Sequence, residues 1–189
     1  MTTRVGVVYF SAEGTTAALA DALSRGASGV AETEVLPLRI TGETIRHGRL
    51  DDEAMLERLD GCAAVVFGSP TYMGGPAAQF KAFADATSER WVDQRWRDKL
   101  AAGFTAGASP AGDQLATLQY FALLAAQHGM LWIGLDLTGG PDPHGRNRLG
   151  SQLGVASCAD GSTPHADDLA TARYLGERVA RLCGRMTGG

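Results

Sequence analysis

Val5-Gly6-Val7-Val8-Tyr9-Phe10-Ser11-Ala12-Glu13-Gly14-Thr15-Thr16 is the stretch that decides the fold. Its first six residues are a short continuous apolar run, the pattern of a strand buried on both faces. A turn of small residues around Gly14 follows. Ala17, Leu19, Ala20 and Leu23 then recur at helical spacing as far as Arg25. A buried strand that passes through a tight turn into a helix is the start of a βα unit, and it predicts a parallel sheet.

Outward from there the pattern repeats. Residues 34–38 read as a second strand closed by Pro37, residues 39–50 are polar and irregular, and Asp51 or Asp52 could cap a helix reaching about Leu59. Residues 62–68 form a third buried run that ends in Ser69-Pro70. Pro76 then suits the first turn of a helix in which Ala77, Phe80, Phe83 and Ala84 share a face. Residues 100–105 are a fourth strand, 113–128 a helix, 131–135 a fifth strand, and 164–183 an amphipathic helix apolar at Leu169, Ala172, Leu175, Val179 and Leu182. Five alternations predict an α/β fold of three layers. A doubly wound five-stranded parallel sheet has right-handed crossovers and helices on both faces, in one domain over 1–189. Residues 136–163 break the alternation, and a loop of that length is usually functional or mobile, and a functional one is expected here. Its His144, Arg146, Asn147 and Arg148 read equally as a substrate or nicotinamide-nucleotide contact and as a solvated surface loop.

Composition sets outer limits. The chain has 189 residues, 44% hydrophobic and 20% charged, as in ordinary globular proteins. Its 17 basic and 21 acidic residues are mixed, without a basic stripe, which argues against nucleic acid or an anionic membrane as partner. No apolar run is long enough to span a membrane, and no charged and apolar leader follows Met1, so no secretory signal is expected. Cys62, Cys158 and Cys183 are far apart and form no Cys-x-x-Cys pair, which excludes a zinc or dithiol motif and favours a reducing cytoplasm.

Ligands of open parallel sheets bind at the carboxyl ends of strands. Three loops leave such ends: residues 11–16, 69–75 and 105–112. In the first, Ser11, Thr15 and Thr16 offer hydroxyls, Gly14 permits a tight turn, and the helix that follows presents amides, so a phosphate could be cradled without a cation. Taken alone, the same residues read more readily as a helix cap than as a phosphate cradle. A Walker loop is excluded because no lysine precedes Lys81, and a dinucleotide fingerprint because Gly14 stands alone. A receiver domain would want acidic residues where Phe10-Ser11 and Gly68-Ser69 stand. Gly107-Ala108-Ser109 lacks the rest of a hydrolase elbow.

Taken together, the motifs resemble a known family. Residues 11–16, Gly68-Ser69-Pro70-Thr71 with Gly74, Gln79-Phe80-Lys81-Ala82-Phe83-Ala84-Asp85, Trp91, His128-Gly129-Met130 and Ala172-Arg173-Tyr174-Leu175-Gly176 occur in the order and spacing of one family. It is that of the flavodoxin-like NAD(P)H:quinone oxidoreductases of the tryptophan-repressor-binding-protein type. The resemblance implies strand order 2-1-3-4-5, bound FMN, NAD(P)H as donor, a quinone-like acceptor and a homodimer or homotetramer. It places Ser11, Gly14, Thr15 and Thr16 on the FMN phosphate, with amides of Ala12 and Glu13. Pro70, Thr71, Tyr72, Met73, Gly74 and Gly75 would line the ribityl chain and ring. Thr105, Ala106, Gly107, Ala108 and Gly112 would reach the ring from another side. His128 would sit beside the flavin as an electrostatic or proton-relay residue, and Trp91 would border the site from a neighbouring subunit. Without the resemblance, His128 reads as a histidine at a helix C-terminus. Family members commonly carry Arg-Phe-Gly-Asn where this chain has Tyr72-Met73-Gly74-Gly75, so the acceptor preference is open. An electron-carrying flavodoxin and a pathway-specific FMN-dependent dehydrogenase or reductase are the rival functions.

Overall fold

The computed structural model describes residues 2–138, 142–160 and 163–187. The first unit is β1 (Thr3–Phe10) and α1 (Thr15–Ser28), followed by β2 (Thr33–Ile40), which pairs parallel with β1. The irregular stretch that follows contains the hairpin β3 (Ile45–Arg46) and β4 (Arg49–Leu50). Helix α2 (Glu53–Asp60) begins at a true cap, because the Asp52 carboxylate accepts from the Met55 amide at 2.9 Å. Next come β5 (Ala64–Tyr72), β6 (Gly75–Pro76), α3 (Ala78–Ala86), α4 (Ser88–Val92), β7 (Leu100–Gly107) and α5 (Gln114–Gln127). The last elements are β8 (Leu131–Trp132), β9 (Val155–Asp160), β10 (Thr163–Pro164) and α6 (Ala166–Thr187).

The main sheet runs β10-β9-β7-β5-β1-β2, with β8 also on β7 and β6 folded back on β5. Its central order is the expected 2-1-3-4-5. Strand alternation sorts the core into two layers. Val5, Val7, Val66 and Phe104 meet α1 and α6 through Leu19, Leu23, Leu175 and Val179. Val8, Val65 and Phe67 meet α2, α3 and α5 through Leu59, Phe80, Phe83 and Phe121. The fold is thus three-layered.

Three expectations are corrected. Pro37 lies inside β2 rather than closing it, and is tolerated because β2 is an edge strand paired to β1 alone. The fifth strand is not continuous over 131–135. β8 pairs with Leu100 and Ala101, whereas β9 pairs with residues 104–107, so the two share one position beside β7. Between them the chain leaves the sheet, as the Leu135 amide turns from β7 to the Gln152 carbonyl at 2.8 Å.

Residues 136–163 are, third, neither a solvated loop nor a strand-free one, since they contain β9; 139–141 and 161–162 lie outside the described residues. Arg148 makes two 2.8 Å bonds to Asp168, which is 2% exposed and also accepts from the Ser157 hydroxyl at 2.8 Å. Buried Asn147 donates to the Leu137 carbonyl at 3.1 Å and accepts from the Ser151 amide at 2.9 Å. Arg146 pairs with Asp142 and lies 4.4 Å over the Tyr174 ring. These polar residues pin the excursion to α6, because a buried polar group must find a partner within the protein. His144 is exposed.

Candidate cofactor cleft

β1 ends at Phe10, and Ser11 begins the loop almost fully buried. Both lone pairs of its hydroxyl are occupied, accepting from the amides of Gly14 and Ala17 at 3.2 Å each. A hydroxyl has one donor and two acceptor positions, so the Ser11 proton is the part left for a ligand. The cap and the candidate cradle are therefore one structure. Gly14, at φ +100°, lies in the left-handed region that favours glycine, and a Cβ there would meet nothing within 4 Å. Its constraint is conformational, not steric. The first turn of α1 then directs its amides, with the positive end of the helix dipole, at the space above the loop.

That space is a cleft of about 300 Å³. Ser11, Ala12, Glu13, Thr15 and Thr16 form one wall; Pro70, Thr71 and Tyr72 a second; Ala106, Gly107 and Ala108 a third. Ala159 of β9 supplies a fourth, which the sequence reading missed. The small-residue run 155–159 was the available clue. Glu13 is the one charged side chain in the lining, so a phosphate here would be held by hydroxyls and amides.

The second wall is rigidly built. Ser69 donates to the Pro70 carbonyl and accepts from the Ala77 amide, both at 2.9 Å, which ties together the two ends of the turn. Beneath it, Thr105 donates to the Ser69 carbonyl at 2.7 Å, and Thr71 lies 2.8 Å from both Thr105 and Thr117. Each hydroxyl has one proton, so the order is fixed: Thr117 donates to Thr71, Thr71 to Thr105, and Thr105 to the carbonyl. Thr71 consequently presents a lone pair to the cleft. Gln114 braces the third wall by donating to the Ser109 carbonyl at 2.7 Å.

Some residues expected at the site are not in the lining. Thr105 is fully buried beneath it. Gly112 closes a turn by bonding to the Ser109 carbonyl at 3.1 Å. Met73 and Gly74, at φ +48° and +78°, are the two-residue tip of the β5–β6 hairpin, with Met73 fully exposed and Gly75 paired to Tyr72.

His128 is the main correction. It ends α5, which runs from the cleft side of the sheet back to its amino side, next to Leu131 and its partner Leu100. There it is 1% exposed, its ring tilted 33° to that of Trp96 with centroids 4.6 Å apart, and its Nε2 lies 2.9 Å from the Thr87 hydroxyl. Thr87 gives its proton to the Ala84 carbonyl at 2.7 Å, so His128 must donate from Nε2, leaving Nδ1 buried without a partner. Burial lowers its pKa to about 4. A neutral histidine enclosed at the far end of the sheet does not relay protons in this chain's cleft. Trp91 is half-exposed on α4 and is not in the lining either.

A doubly wound sheet with a glycine turn, a hydroxyl-bearing helix entry and a small-residue cleft at its switch point defines a flavodoxin-like protein. The profile of the family described as NADPH-dependent FMN reductase matches residues 3–137, and the chain belongs to that family. It is 36% identical over 184 residues to "Flavodoxin FldP" of Pseudomonas aeruginosa, covering 93% of this chain and 94% of that one. It is 34% identical over 196 residues to an "NAD(P)H dehydrogenase (quinone)" of Archaeoglobus fulgidus, covering 97% and 98%. Among solved structures it resembles a WrbA-like flavodoxin from Agrobacterium tumefaciens, at TM-score 0.76 and 38% identity over 97% of this chain and 98% of that one. Among the described residues, no helix is long and apolar enough to cross a membrane.

Proposed function

We propose that the protein is an FMN-dependent oxidoreductase that moves electrons from NADH or NADPH to a quinone or similar small acceptor. The observation that carries this reading is the cleft, whose neutral donors converge above α1 in a chain similar along nearly its whole length to a quinone dehydrogenase. FMN would supply the two-electron chemistry, and the protein would supply binding and orientation. Ser11, Thr15 and Thr16, with amides of Ala12 and Glu13, hold the phosphate, and Gly14 supplies the turn while its own amide stays on the Ser11 hydroxyl. Pro70, Thr71 and Tyr72 flank the ribityl chain and ring, with Met73, Gly74 and Gly75 as the adjoining tip. Ala106, Gly107 and Ala108 close the opposite side. The fixed lone pair of Thr71 favours an N–H over a carbonyl at that point of the ring edge. The resemblance further supports a homodimer or homotetramer, and the free cysteines support a reducing cytoplasm.

The test is anaerobic reduction of FMN-loaded protein by NADH, by NADPH and without donor, followed by titration with quinones and other small acceptors. Flavin bleaching by a nucleotide and reoxidation by a quinone are expected. If neither nucleotide bleaches the flavin, the reading fails. The similarity to Flavodoxin FldP favours one alternative, an electron carrier. Slow oxidation of NAD(P)H with fast exchange to a protein partner would select it.

A further inference from the structure

We infer that Arg39 is a positioning residue that makes the first loop selective for a phosphorylated flavin, an inference that rests on the FMN reading above. Arg39 lies near the end of β2, opposite Tyr9 of β1. Its neighbours Leu38 and Ile40 belong to the core layer with α2 and α3, so strand alternation turns Arg39 to the α1 face. Tyr9 belongs to the core on that face, and its phenol feels the charge of Arg39. From there Nη2 donates to the carbonyl of Ser11 at 2.9 Å.

This bond acts through the peptide plane. In a planar trans peptide the carbonyl oxygen and the next amide hydrogen point in opposite directions. Arg39 is outside the cleft lining and holds the Ser11 carbonyl on its own side. The amide of Ala12 is thereby turned to the other side, where Ala12 lines the cleft. The same guanidinium sets a positive charge behind a cradle whose one charged lining residue, Glu13, is acidic. A phosphate gains from both effects. The uncharged ring and ribityl chain gain from neither, so Arg39 should discriminate FMN from riboflavin. Nothing in the composition of the loop itself suggests this, because the residue comes from the neighbouring strand.

The experiment titrates apo-protein with FMN and with riboflavin, following quenching of flavin fluorescence, for wild type, Arg39→Ala, Arg39→Gln and Arg39→Lys. Loss of a charge-assisted bond predicts an FMN Kd about tenfold or more higher in Arg39→Ala, with riboflavin changed less than about twofold. Arg39→Lys should recover part of the loss, and the salt dependence of FMN binding should flatten in Arg39→Ala and Arg39→Gln. Equal weakening of both flavins would make Arg39 merely structural, and unchanged FMN binding in Arg39→Ala would remove its role; either result overturns the inference and leaves the FMN reading standing. Wild-type protein that binds neither flavin would defeat both. A thermal melt of each apo variant checks the fold, and should Arg39→Ala not fold, the ratio of the two Kd values in Arg39→Gln decides.

Discussion

Gly26 of α1 and Gly176 of α6 face each other's backbone, and replacing either with alanine should separate the two helices. A Cβ on Gly26 would stand 1.9 Å from the Arg173 carbonyl oxygen, and one on Gly176 would stand 2.0 Å from that of Leu23. Ordinary contact begins at 3.4 Å, so the backbones would have to part by about 1.4–1.5 Å, and no side-chain rotation can relieve the clash. Overpacking of a core commonly costs about 1–3 kcal/mol, and rigid backbone puts this case at the upper end. Alanine returns about 0.8–1.0 kcal/mol of helix propensity. The net loss is roughly 2 kcal/mol, or a Tm lower by about 4–8 °C for a chain of this length. Gly184, on the same helix α6, is the control: a Cβ there meets nothing, so Gly184→Ala should raise Tm by up to about 4 °C. The double variant Gly26→Ala/Gly176→Ala should lose less than the sum, since the first substitution already makes room for the second. Differential scanning calorimetry of wild type and the four variants is the assay. A Gly176→Ala protein that melts at or above wild type would refute the close-contact argument.

Three further outcomes follow from local geometry. The pKa of His128 is lowered in the folded protein, so the unfolded chain binds more protons between about pH 4 and 6.5; stability is full above that window and falls as pH drops through it, by up to about 1.4 kcal/mol per unit. In urea melts His128→Gln should flatten that slope by about one proton, and a wild-type His128 that titrates near its ordinary value by NMR would contradict the burial argument. Arg148→Leu leaves the Asp168 carboxylate buried without its cation and should cost about 3 kcal/mol or more, with part recovered by adding Asp168→Asn; a neutral single variant would show that the pair does not anchor the excursion. Met73→Asn should stabilise by about 0.5 kcal/mol, because asparagine suits the left-handed first position of a two-residue hairpin. A lower Tm for that variant would mean that Met73 makes a contact worth more than its backbone conformation costs.

Much of the architecture could be read from residues because it follows from local rules. Val5 to Phe10 had to be a buried strand, one of Asp51 and Asp52 was placed to cap α2 and Asp52 does so, and the helical spacing of Leu169, Ala172, Leu175 and Val179 had to be one buried face. The first loop was likewise legible as a wall of the cleft, since the residues that line it are nearly consecutive. What escaped was non-local. Ala159 and Arg39 reach the site from strands whose positions depend on sheet order, and the pinning of residues 142–154 depends on Asp168 and Thr171 of α6. His128 failed for the opposite reason. Its place at a helix terminus was read correctly from sequence, but the flavin-side role came with the family pattern, and α5 carries it to the wrong end of the sheet.

The shared fifth position in the sheet has a consequence for how the cleft forms. β1, β5 and β7 can pair as soon as their crossovers exist, but Ala159 arrives only after the chain between Trp132 and Val155 has closed on itself and docked on α6. Closing that loop costs entropy that the central strands do not pay again. The β9–β10 edge is therefore the section that should open first in native-state hydrogen exchange, ahead of the sheet beneath it. A ligand that touches Ala159 binds only the docked arrangement, so filling the cleft should slow exchange along β9 and β10 and on the distant α6 face that holds Arg148.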